Sequence, residues 1–248
     1  EAEREHRRHL GFGGDQDTAS QFHFLGSKFV VGDELATHTT PDDKDIDDIA
    51  RWIGEARRQA DWVLMSVHSH EFDGHMEQSA EFLHTFARRC IDEGVDVVLG
   101  HGPHLLRGIE VYKGKPIFYS LGNFIFQNEA INRFPSDIYV RAGLDSSATP
   151  ADYYDARSQK DARGFPADSA YWESVVAVIN LKDRGGSELR LHPVDLGHGK
   201  HRAQRGRPLL ADEELGARIL KRLQDLSQAY GTEVRLVDGV GIVDLPGP

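Results

Sequence analysis

Thirteen of the 248 residues are histidine, and four of them stand in two tight pairs. His68 and His70 are two apart and are followed by Glu71. His101 and His104 close the string Gly100-His101-Gly102-Pro103-His104. Neutral imidazole is the commonest protein metal ligand and the usual acid or base near neutral pH. Nitrogen and oxygen donors without sulfur suit zinc, manganese or iron. A lone histidine at a strand end is ordinarily a polar residue leaving the core. Two pairs at the same end of two successive strands point instead to one shared site, with Glu71 and Asn123 beside it. Glu71 adds a carboxylate, and the Asn123 amide can hold a metal, a substrate oxygen or a turn. Arg107, three residues after His104, is the best placed cation for an anionic substrate group; Arg157, Arg202 and Arg205 are weaker candidates.

The elements that must position these residues are legible around them. Trp62 to Val67 is a short apolar run without alternation, the pattern of a strand buried on both faces, and it ends at His68. A helix is expected over about 77–92, with Ala80, Leu83, Ala87, Cys90 and Ile91 on one side and Gly94 as its stop. Val95 to Leu99 then repeats the buried-strand pattern and ends at the second histidine pair. Strand, helix, strand is a βαβ unit with parallel strands about 4.8 Å apart, so imidazoles at the two carboxyl ends can meet. Upstream, Ile46, Ile49, Ile53 and Ala56 have helical spacing behind an aspartate-rich start. Downstream, 109–112 and 117–119 form a hairpin that runs into Ser120-Leu121-Gly122-Asn123-Phe124. Strands are expected over 174–181, 188–191, 234–237 and 241–245, and an amphipathic helix over 210–230. Residues 1–27 read as a poorly structured start, and 127–171 as a long irregular insertion. His75 and His84 are expected outside the site, with His84 exposed in mid-helix, while His192, His198 and His201 could approach it through a loop. Cys90 is expected to be buried and inert, and Tyr171 and Trp172 to pack.

Composition narrows the classes. Lys plus Arg is 29 and Asp plus Glu is 40, a formal net charge of −11, which argues against nucleic acid as a partner. A single cysteine excludes an internal disulfide framework and a Cys-rich zinc site. No apolar run is long enough to span a bilayer. Residues 1–9 lack the apolar stretch of a signal peptide, and localisation stays open.

Val67-His68, Gly100-His101-Gly102-Pro103-His104 and the string from Gly108 through Tyr119-Ser120-Leu121-Gly122-Asn123-Phe124 together resemble the CapA family, capsule or poly-γ-glutamate synthesis proteins with a calcineurin-like metallophosphatase fold. The resemblance implies an α/β sandwich of two sheets flanked by helices, with a divalent metal (Mn, Zn or Fe) held by His68, His101 and His104. It implies an anionic polymer or peptide as substrate. The usual His-Trp-Gly is replaced by His68-Ser69-His70, and Gly102 stands where many members have a further histidine. The aspartate motifs that open the metallophosphatase fold do not stand upstream of His68, so residues 28–248 are expected to be the C-terminal part of such a domain, with a missing N-terminal half or a partner subunit supplying the rest.

Three functions compete. One is metal-dependent phosphoester hydrolysis, with His68, His70, His104 and Glu71 in the catalytic set and Asn123 and Arg107 binding substrate. Another is metal-free acid–base chemistry on a peptide, as in epimerisation, with His68 and His104 as the acid and base. The last is a non-catalytic polymer-binding role, which would need a local Arg/Lys groove to offset the net charge.

Overall fold

In the computed structural model, which describes residues 18, 20–24, 27–33, 36–180 and 187–246, the chain divides into two units, 1–38 and 39–248. Within the first, β1 (Gln21–Phe24) and β2 (Ser27–Val30) pair antiparallel, and the rings of Phe22 and Phe29 stack at 4.8 Å. The expected poorly structured start is therefore corrected at 21–24, which is strand; residues 1–17 lie outside the described residues.

The second unit begins with α1 (Asp43–Gln59), capped by the Asp42 carboxylate, which accepts from the Lys44 and Asp45 amides. There follow β3 (Leu64–His68), the short hairpin β4 (Phe72–Asp73) and β5 (His75–Ser79), α2 (Glu81–Asp92), β6 (Val97–His101), β7 (Ile109–Tyr112) and β8 (Lys115–Phe118). Next come α3 (Ser136–Arg141), α4 (Pro150–Ser158), β9 (Glu173–Ile179), β10 (Ser187–Asp195), β11 (Leu209–Leu210), α5 (Glu213–Gln228), β12 (Arg235–Val237) and β13 (Val240–Leu245). Among the described residues no helix is long and apolar enough to cross a membrane.

Two sheets organise this unit. One has strand order β3-β6-β8-β7, with β3 and β8 both parallel to β6. The other runs β11-β10-β13-β12, with β9 also paired to β10. Val97, Ile109 and Phe118 from the first sheet share one core with Val175, Leu189, Leu191 and Val243 from the second and with Ile219 and Leu223 of α5. On its other face the first sheet packs Val98, Ile117 and Tyr119 against Ile53 of α1 and Leu83, Ala87 and Cys90 of α2. The result is a mixed α/β unit with helices flanking the sheets. Cys90 is buried, and that burial together with Glu93 pushes its thiol up to about 12.

Three expectations are corrected. The strand from Trp62 is β3, but among the described residues it is an edge strand and not doubly buried: Leu64 is 54% exposed. An apolar cleft of about 470 Å³ opens beside it, with Leu64, Leu99 and Phe118 on one side and Val176 and Ile179 of β9 on the other. The segment 127–171 is not wholly irregular. Thr149 and Asp152 form a capping box that starts α4, with Pro150 in its first turn, and Phe134, Tyr153 and Tyr154 pack as an aromatic cluster. Finally, β5 takes residues read as the start of α2.

His84 is also not the exposed residue expected. It is half-buried on α2, edge-on to the rings of Tyr119 and Tyr230, with Tyr230 Oη 3.3 Å from its Nε2. Burial outweighs the neighbouring Glu110 carboxylate and holds its pKa below the usual histidine range. The unfolded chain therefore binds more protons than the folded one between that lowered value and about 6.5. The stabilisation is full above about 6.5 and is lost as the pH falls through this window. We expect the urea midpoint to drop between about pH 7.5 and 5, and His84→Gln to flatten that drop. Equal slopes in the two proteins would contradict it.

Candidate functional site

The parallel register places His68 directly opposite His101, at the carboxyl ends of β3 and β6. The two Nδ1 atoms are 2.9 Å apart. On its other side His68 Nε2 is 3.1 Å from His70 Nε2. His101 Nε2 lies 2.8 Å from Ser66 Oγ. Ser66 is two residues before His68 and so shares its strand face. The His70 and His104 rings are 5.7 Å apart between centroids. All four expected imidazoles are thus brought together, and Ser66 joins them. That hydroxyl went unnoticed in the sequence, where the i, i+2 spacing from His68 was its signal.

Ser66, His101, His68 and His70 form a single file of hydrogen-bonding groups. Each neutral imidazole has one N–H and one bare nitrogen. The file is therefore satisfied in two directions, with every N–H pointing toward Ser66 or every one toward His70. A proton accepted at one end can be released at the other. Burial, reinforced by His68, lowers the pKa of His101.

His104 sits apart from this file and its tautomer is determined. It has φ +66°, a left-handed conformation that turns the chain after Pro103. The Asn123 amide nitrogen donates to the carbonyls of His104 and Tyr171, both at 2.9 Å. Those two acceptors fix which end of the amide is nitrogen, so Asn123 Oδ1 faces His104 Nδ1 at 2.8 Å. Oδ1 can only accept, so Nδ1 carries a proton, and in the neutral ring it is Nε2 that presents the lone pair. The Phe126 and Phe165 rings lie 5.9 and 5.3 Å from the His104 ring.

Two expected site residues are corrected. Arg107 is 0% exposed, not the open surface cation the sequence suggested. Its Nε donates to the Met76 carbonyl at 2.9 Å and its Nη2 to the Glu71 carbonyl at 3.0 Å. It clamps the chain just after His70 from beneath. Glu71 is exposed, and the contact it makes is through that carbonyl; its carboxylate bonds to none of the imidazoles. His198 and His201 are engaged with nearby backbone, the first at 3.1 Å from the Pro166 carbonyl, and His75 pairs with Glu77.

The donor set does not fit the expected three-histidine metal centre. Imidazoles sharing a zinc ion aim one nitrogen each at a common point about 2.0–2.1 Å away. His68 instead directs its two nitrogens at two different neighbours, and His104 directs Nδ1 at Asn123. Among the described residues no group of three His, Cys, Asp or Glu side chains is arranged to hold a metal ion.

Comparison with known proteins agrees with the quoted strings. Residues 7–128 match the bacterial capsule synthesis protein family PGA_cap. An uncharacterized protein, y4sH of Sinorhizobium fredii (strain NBRC 101917 / NGR234), is 35% identical over 241 residues, covering 94% of this chain and 52% of its own length. The PGA biosynthesis protein CapA of Bacillus subtilis (strain 168) is 45% identical over 75 residues, which are 30% of this chain and 19% of that protein. The capsule biosynthesis protein CapA of Bacillus anthracis is 43% identical over 68 residues, 27% of this chain and 16% of that one. The chain spans about half the length of y4sH and smaller shares of the two CapA proteins. With the motif strings, the family match and these relatives in agreement, the chain belongs to the CapA family of bacterial capsule synthesis proteins.

Proposed function

We propose that this chain serves capsule or polyglutamate biosynthesis by proton transfer at its imidazole file, acting on an anionic polymer or peptide. The names of the CapA relatives support the biosynthetic setting. The observation that carries the chemistry is the pairing of a relay with a separate imidazole: Ser66, His101, His68 and His70 at 2.8, 2.9 and 3.1 Å, beside His104, whose neutral ring is held in the tautomer with Nε2 as its basic nitrogen. His104 Nε2 would take a proton from a carbon next to a carbonyl, and the His70 end of the file would return one. Imidazole is the side chain most often used for proton transfer of this kind.

The test is incubation of the protein with an acidic peptide in deuterium oxide. Deuterium is expected at an α-carbon without chain cleavage. His104→Gln and His68→Gln should each slow it by about 10² or more. Asn123→Ala should slow it less, and should release the His104 tautomer seen in its ring ¹⁵N shifts. Absence of exchange in every peptide tried would overturn the proposal.

A second reading rests on the open edge of β3 and on relatives about twice as long. A calcineurin-like sandwich completed by a further polypeptide could add carboxylates beside His68, and a divalent metal (Mn, Zn or Fe) would then have donors that this chain does not align by itself. Stoichiometric metal in the longer protein, lost in His68→Ala and His101→Ala, with release of phosphate from an aryl phosphate, would favour that reading.

A further inference from the structure

Beneath the 127–171 segment lies a network of ion pairs. Arg205, which is buried, donates to Glu129 at 2.6 Å and to Asp161 at 2.8 Å, and Arg202 holds Asp155 at 2.7 Å and Glu129 at 3.1 Å. Glu129, Asp155 and Asp161 are thereby each matched by an arginine. Gln159, Lys160 and Asp161 all have positive φ, and this turn swings Asp161 back to the arginines. Through Glu129 the network reaches a cavity of about 400 Å³, whose lining includes two other cations, Arg157 on α4 and Arg163 on the following turn. Both are exposed and neither forms an ion pair among the described residues. The remaining lining carboxylate, Asp168, accepts from the Ala170 amide at 2.9 Å.

The cavity shares a wall with the imidazole site. The Phe165 ring stands between them, 5.3 Å from His104 and 4.8 Å from Tyr171, and the Tyr171 carbonyl is one of the two that orient Asn123. Two guanidinium groups without ion-pair partners among the described residues, lining one cavity with Phe165 and Tyr171, stand out in a chain of net charge −11. Guanidinium groups bind carboxylate and phosphate through charge-assisted, often bidentate hydrogen bonds.

We propose that this cavity is an anion subsite: Arg157 and Arg163 grip a carboxylate or phosphate group of a ligand whose body lies against Phe165 and Tyr171. The inference concerns binding alone and stands whether or not the imidazoles transfer protons.

Binding of a fluorescent glutamate hexapeptide, measured by anisotropy on the full chain, tests it, with inorganic phosphate as competitor and a glutamine hexapeptide as the neutral control. The glutamate peptide should bind, weaken with added salt, and outcompete the neutral one. The double variant Arg157→Ala/Arg163→Ala should raise its Kd roughly tenfold or more, the loss expected when charge-assisted hydrogen bonds to a carboxylate go. Both positions are exposed, and an unchanged melt will show that the fold is intact. Arg141→Ala, which removes an exposed arginine that pairs with Asp137 and does not line the cavity, should leave this Kd within about twofold, which separates the subsite from general loss of positive charge. If phosphate alone displaces the peptide at lower concentration than free glutamate does, the subsite stands with phosphate as its preferred group. An equal Kd in the double variant, or no binding of either anion to the wild type, would overturn it.

Discussion

Arg107→Met is expected to cost about 2–4 kcal/mol of folding free energy, among the largest losses for any single side chain near the site. The guanidinium is wholly enclosed and donates to two main-chain carbonyls, those of Glu71 and Met76. Methionine fills much of the volume but deprives both carbonyls of their charged donor. Hydrogen bonds from a charged group are worth about 1.5–3 kcal/mol each. Against that stands the relief of removing a buried cation with no carboxylate partner, whose burial already lowers its pKa and whose Nη1 lacks a partner among the described residues. The net loss is therefore less than the sum of the two bonds. Arg107→Lys should recover part of it, since an ammonium can reach one carbonyl. Urea unfolding at constant m-value reads the effect. A loss below about 1 kcal/mol in the methionine variant would show that the clamp carries little. Because the Glu71 carbonyl follows His70 directly, the same substitution should broaden or shift the His70 ring resonances while leaving those of His84 in place.

Gly102→Ala is expected to cost about 3 kcal/mol or more. Gly102 has φ +128°, which side-chain-bearing residues rarely adopt, and a Cβ there would lie 2.7 Å from the Ser69 carbonyl oxygen and 2.9 Å from its carbon. The obstacle is backbone, so it cannot rotate away. The alanine must push apart the two strand-end loops that carry His70 and His104. Gly143 supplies the control: it also has positive φ, at +72°, but nothing lies within 4 Å of its would-be Cβ. Gly143→Ala should cost only the left-handed backbone term, about 1–2 kcal/mol. Similar losses at the two positions would refute the role assigned to the close approach. At this φ and this separation, no side chain fits at position 102 without moving Ser69.

Much of this was legible before any coordinate. The βαβ unit and its two histidine-bearing strand ends followed from two apolar runs and the helix between them, and β3 and β6 pair in the register that brings His68 to His101. The position of Asn123 beside His104 followed from the string after the β7–β8 hairpin, although its orienting function needed the Tyr171 carbonyl, which is 48 residues away. Arg107 was misread because a cation close in sequence to a histidine resembles a ligand-binding residue, and nothing local reveals that the β4–β5 hairpin folds over it. Glu71 was misread for a related reason: the chain there presents its carbonyl, not its carboxylate, to its neighbours. The helices of 127–171 were missed because α3 and α4 are short and rich in Tyr and Asp, with no apolar stripe to betray a period; the Thr149-Pro150-Ala151-Asp152 cap was the one available signal. Convergence of the ring nitrogens on a single ion could not be judged from spacing at all, since it depends on which nitrogen each ring turns inward.

The strand that carries Ser66 and His68 is also the unprotected border of its sheet, with the apolar cleft alongside. Its outward N–H and C=O groups, unpaired among the described residues, and the adjoining apolar surface are a template for stacking one molecule on another. Concentrating or warming the isolated chain will therefore act first on the very segment that holds the imidazoles, so precipitation and inactivation should set in together as one event. A storage additive that shields this border will preserve both solubility and the ordered file of rings.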